Sequence, residues 1–87
     1  MKIDVEGLQG MLDIYRSATD LKIPVHASLK GHFIKNRQQL LDGFAKMASA
    51  QNMMLGCLVP QTDDEKAQLI EAKRIVEEFG DWAKGIQ

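Results

Sequence analysis

A single cysteine, Cys57, stands in the 87 residues, so no disulfide can close within the chain. That absence removes the stapled frameworks of small secreted domains and fits a reducing cytoplasm. No apolar run approaches the ~20 residues that a membrane span needs. The opening Met1-Lys2-Ile3-Asp4-Val5-Glu6 lacks the apolar centre of a secretory signal. Excess charge is missing too. A net charge of −1 gives no global pull toward nucleic acid or an anionic membrane, which leaves only local patches to consider. Prolines are two, Pro24 and Pro60, and both lie outside the periodic stretches. A hydrophobic share of 45% is enough to build a core, so wholesale disorder is not expected.

What is present is helical periodicity. Val5, Leu8, Leu12 and Tyr15 form one stripe, with Met11 and Ala18 beside it and Asp4 placed to cap the start. Gly7 and Gly10 interrupt that stripe at about 1 kcal/mol each relative to alanine. They predict either a close approach to another backbone or a helix that orders only on docking. Pro24 then discourages helix at Ile23.

The longest pattern is best written in sevens. One row is Phe33, Leu40, Met47 and Met54; a second is Ile34, Leu41, Ala48 and Leu55; a third is Arg37, Phe44, Gln51 and Leu58. Three rows make a face wider than a two-row coiled-coil seam. A small row, Asn36, Gly43, Ala50 and Cys57, leaves room for close approach. Thr62-Asp63-Asp64-Glu65 reads as a capping box, and Leu69, Ala72, Val76, Phe79, Ala83 and Ile86 continue at helical spacing. Gly80 is expected to bend or end that helix.

The segment from Leu58 to Thr62 is too short for anything but an antiparallel return. The expected fold is therefore all-α, a single domain over residues 1–87. A short N-terminal helix (4–20) precedes a long antiparallel hairpin (30–58 and 63–86), and the whole assembles as a helical bundle. One antiparallel partner covers about two rows of the middle helix. The excess predicts a homodimer or a larger protein partner, with Phe33, Ile34, Leu41, Phe44, Met47, Ala48, Met54 and Leu55 at the interface.

One charge asymmetry stands out. No acidic residue lies between Asp20 and Asp42, whereas Lys22, His26, Lys30, His32, Lys35 and Arg37 do. A helix start flanked by lysines can hold phosphate, a nucleotide, nucleic acid or an acidic partner. The structural alternative is that antiparallel packing lays these residues against Glu77, Glu78 and Asp81, which would neutralise them. His26-Ala27-Ser28-Leu29-Lys30-Gly31 resembles the phosphohistidine motif of histidine phosphotransfer domains over six residues. It carries one residue more between the histidine and Leu-Lys-Gly, and Pro24 stands where that family has helix, so the chain is not assigned to it.

His26 and His32 are six apart, not at the three- or four-residue spacing that puts two metal ligands on one helical face. No catalytic residue, metal site or cofactor is assigned. The expected function is a small non-enzymatic interaction module, an adaptor, inhibitor or regulatory subunit. An anion-binding protein is the alternative.

Overall fold

A computed structural model describes residues 3–85, and within them the chain forms four helices. They are α1 (Val5–Thr19), α2 (Ala27–Lys35), α3 (Arg37–Gly56) and α4 (Asp63–Lys84). The fold is all-α, with α3 and α4 packed along one another as an antiparallel hairpin and α1 laid mainly against α4. The molecule is elongated, 47 × 21 × 20 Å.

Each helix begins and ends for a local reason. Asp4 caps α1 by accepting the Gly7 N–H at 2.9 Å. A Cβ at position 7 would stand 2.4 Å from the other Asp4 carboxylate oxygen, so Gly7 makes room for the cap. The expectation of a backbone pressed against the Gly7 and Gly10 row is not met, since Gly10 faces open space. At the far end of α1, Lys22 N–H bonds Ser17 O at 2.8 Å and Leu21 N–H bonds Ala18 O at 3.1 Å. This double closure requires a left-handed residue, and Leu21 supplies it with φ 57° where glycine is usual. Gly85, with φ 78°, fills the corresponding place after α4.

The long middle helix expected over 30–58 is divided. The chain breaks at Asn36, whose side-chain amide donates to His32 O at 2.9 Å and so competes with the helical ladder. The helix also begins earlier than expected, at Ala27, and ends at Gly56. The hairpin itself starts as the sequence indicates. Thr62 Oγ1 accepts the Glu65 N–H at 3.1 Å, and Glu65 reaches back to the Gln61 N–H at 2.8 Å. The hydrogen bond from the Gln61 N–H holds the Glu65 carboxyl below its ordinary value.

The core is built from Leu12, Ala48, Ile75, Val76 and Phe79, with Tyr15, Phe44, Met47, Leu55 and Trp82 packed around it. Complete burial of a residue such as Phe79 is worth about 1.5–3 kcal/mol. Tyr15 stacks on Phe44 at 5.6 Å, and Phe44 meets the edge of Phe79 at 5.5 Å, which ties α1, α3 and α4 together. Arg16 lies 5.7 Å over the Trp82 ring and closes that end of the cluster.

Gly80 neither bends nor ends α4, which runs through to Lys84. A Cβ there would sit 3.2 Å from the Ala48 Cβ, so the glycine sets the approach of α3 to α4. The small row expected to serve this purpose lies elsewhere: Gly43, Ala50 and Cys57 are exposed. Ile86, expected to continue the α4 stripe, lies outside the described residues.

Candidate functional site

Two surfaces follow from this arrangement, one basic and one apolar. The basic surface is carried by α2 and the turn before it. His26 Nδ1 accepts the Ser28 N–H at 3.2 Å and lies 2.7 Å from the Ser28 hydroxyl, a capping arrangement on open surface. His32 Nδ1 is 3.0 Å from the Asn36 amide nitrogen at the α2–α3 joint. Both histidines thus hold the ends of one short helix. Lys22, Lys30 and Lys35 are exposed around it.

Arg37, the first residue of α3, pairs with Asp20 at 2.8 Å. This anchors the start of the hairpin to the end of α1. The expected neutralisation by Glu77, Glu78 and Asp81 takes a different form. Glu78 binds Arg74 of its own helix at 2.6 Å, and Arg74 also pairs with Glu71. Hydrogen bonding from Arg74 lowers the Glu71 carboxyl, and the two carboxylates together raise the guanidinium. The physical reason is register: Gly80 packs against Ala48, so α4 ends at Lys84 beside the first half of α3, and α2 makes its contacts with α3 rather than α4. The basic segment is consequently set apart from the acidic end of α4.

The apolar surface is carried by the second half of α3. Of the eight interface residues expected from sequence, Leu41 and Ala48 are buried within this chain. Phe44, Met47 and Leu55 are half-buried against the same core, and Phe33 is half-buried on α2. Ile34 and Met54 remain 62% and 70% exposed. Met53, at 74%, and Val59, at 71%, join Met54 near the hairpin turn.

Met54 and Leu58 border a shallow groove of about 300 Å³ whose floor and opposite wall include Ile3, Leu8, Leu55 and Val76. Its lining is almost wholly apolar. Gln51 stands on the same wall, with its amide oxygen buried and without a hydrogen-bond partner. The Asn52 amide oxygen is in the same condition, beside a smaller crevice between α3 and α4.

Cys57 is exposed at the end of α3. Among the described residues, no three His, Cys, Asp or Glu side chains gather closely enough to hold a metal ion. No described helix is long and apolar enough to cross a membrane.

The eight residues expected at the interface include Met54 and Ile34 but leave out Met53 and Val59, and Ile3, Leu8 and Val76 were not foreseen as groove walls. A signal was available for the first pair. From Met47 to Thr62 sixteen residues pass without a charged or histidine side chain, the tract that ends at the turn. The walls supplied by α1 and α4 depend on tertiary packing and leave no mark at positions 3, 8 or 76 alone.

Comparisons with protein families, with curated proteins and with solved structures find no match to this chain.

Proposed function

We propose that this chain is a small non-enzymatic protein–protein interaction module, an adaptor, inhibitor or regulatory subunit working through its helical surface. The observation that carries the reading is the uncharged patch at the end of α3. There Met53, Met54 and Val59 project into solvent beside an apolar groove. Water contact with apolar surface costs about 25 cal/mol per Å², so a patch of this kind is stabilised by a partner that covers it. Unbranched methionines suit such a face because they adapt to the shape presented. His26 and His32 each use Nδ1 at an end of α2, a local structural role. The lone exposed thiol of Cys57 is consistent with a reducing cytoplasm.

The test is a photo-crosslinking amino acid placed at Met53 in cells of the native host. A discrete covalent protein adduct, lost when Met54→Glu is added, is the expected result. No adduct at that position, with crosslinking intact in a control protein, overturns the reading.

The second reading assigns an acidic partner or a phosphate-bearing ligand to Lys22, Lys30 and Lys35. The separation of α2 from the acidic end of α4 favours it. Such binding falls steeply as salt rises and is lost in the double variant Lys30→Ala, Lys35→Ala. Binding that survives both changes rejects it.

A further inference from the structure

We propose that α2 is a pH-sensitive element, helical while His26 and His32 are neutral and opened when they take up protons. The two histidines close the two ends of this helix, and each does so through the lone pair on Nδ1.

The N-terminal end carries most of the effect. His26 is the N-cap of α2, a place that serine, threonine, aspartate or asparagine ordinarily fills with an oxygen acceptor. Its Nδ1 accepts the Ser28 N–H at 3.2 Å, so the neutral ring holds its proton on Nε2. The Ser28 hydroxyl lies 2.7 Å from the same nitrogen. A proton added at Nδ1 turns that acceptor into a donor. The hydroxyl can rotate and accept from it, but the backbone N–H cannot and loses its partner. The same proton sets a positive charge at the helix N-terminus, the end where the macrodipole opposes it. Both consequences act against the helix.

At the other end the Asn36 amide donates to His32 O at 2.9 Å and lies 3.0 Å from His32 Nδ1. Protonation there turns N–H against N–H and breaks the second contact. The charge itself is favoured near a helix C-terminus, so this end contributes less.

Among the described residues, neither histidine pairs with a carboxylate that would hold it in place once charged. Lys30 and Lys35 share α2, and Lys22 stands in the turn before it. Asp20, at the end of α1, is taken up by Arg37 of α3 at 2.8 Å. Asp42 of α3 accepts from the Gln38 amide at 3.0 Å.

Packing does little to hold α2 when its ends are released. Isolated helices shorter than about 12 residues are marginal in water. The nine residues of α2 include none that is buried, and only Phe33 is half-buried. By contrast α4 buries seven residues and is capped by the Thr62 hydroxyl, which does not titrate in this range. Histidine ordinarily titrates between roughly pH 5 and 8, so acidification across that range opens α2 and leaves the hairpin standing. Lys30 and Lys35 are then presented on a helix only in the neutral state.

Backbone chemical shifts of the full chain, measured by nuclear magnetic resonance at about pH 7.5 and about pH 5, read this helix by residue on both sides of histidine titration. The wild type is expected to lose most of the helical shift of α2 at the lower pH, with that of α4 unchanged. His26→Asn keeps a capping side chain that does not titrate; combined with His32→Gln, it is expected to leave α2 helical at both values. A wild-type α2 equally helical at both overturns the proposal. So does a double variant that loses α2 on acidification as the wild type does, since the proton then acts elsewhere. Loss of α4 together with α2 would be general acid unfolding and overturns it too. Should the double variant lack α2 already at the higher pH, His26→Asp decides, because its carboxylate stays ionised at both. An α2 kept by His26→Asp at the lower pH upholds the proposal, and one lost as in the wild type rejects it.

Discussion

Helices α2 and α4 are built to opposite specifications. Seven residues of α4 are buried, from Leu69 to Ala83, while α2 buries none of its nine. Both contain a glycine, yet the glycine of α4 meets Ala48 closely and that of α2 faces open space. Each also has a side-chain cap, Thr62 for α4 and His26 for α2. The difference therefore lies in packing. A capped helix without a buried face is held by local hydrogen bonds, which contribute only about 0.5–1.5 kcal/mol each. A helix with a continuous buried stripe carries the cooperative stability of the domain.

The largest effect that would break this contrast lies at Phe79. Phe79→Ala removes a fully buried ring and is expected to cost about 3–5 kcal/mol in chemical denaturation. The matching change in α2, Ile34→Ala, is expected to stay within about 0.5 kcal/mol because that side chain is largely in solvent. A comparable loss at both positions would mean that α2 is anchored after all. Native-state hydrogen exchange gives the same comparison without mutation, with α2 amides exchanging by local opening and the Ile75 to Phe79 amides only near global unfolding.

Gly80→Val comes next. The added methyl groups must displace the Ala48 Cβ, which has no torsion by which to move aside, so the two helices have to part. About 1–3 kcal/mol of destabilisation is expected in thermal unfolding. An unchanged midpoint would show that Gly80 does not set the spacing of the hairpin.

A smaller effect separates Leu21→Gly from Leu21→Ala. Both lose the leucine side chain, but only glycine relieves the left-handed backbone. The glycine variant is expected to be the more stable by about 1 kcal/mol. Equal stability would remove strain from the account of the α1 end.

The smallest effect is the pH dependence at the start and middle of α4. Glu65 and Glu71 are lowered from the ordinary 4.5 by their hydrogen bonds. A lowered carboxyl contributes stability above the unfolded value and loses it as pH falls through the folded one. Stability is thus expected to decline on acidification below the ordinary carboxylate range. Glu65→Gln should flatten that decline; an identical acid slope in the variant would dismiss the capping carboxylate as its source.

The architecture was legible where one local signal agreed with the long-range pattern. Thr62 and Glu65 marked the start of α4, and Pro60 lay between two apolar periodicities, so the hairpin could be read directly. Phe44, Met47 and Leu55 were correctly placed on the apolar face of α3, although that face turned out to be shared between the core and the groove. The division at Asn36 could not be read because the apolar rows run through it without a change of phase. Gly80 misled for a related reason: glycine signals a break from propensity alone, while its use here depends on Ala48 across the hairpin. The candidate surface was half visible. Ile34 of α2 and Met54 of α3 stood in the rows, but their exposure depends on which helices the fold lays against α2 and α3, which no spacing reveals.

The joint at Asn36 divides the molecule by labour. Because α2 contributes nothing fully enclosed and joins the hairpin through a single residue, most of its exposed side chains can be changed without opening the core. Substitutions at the exposed positions between Val25 and Asn36 leave untouched the pedestal that the other three helices build around Phe79.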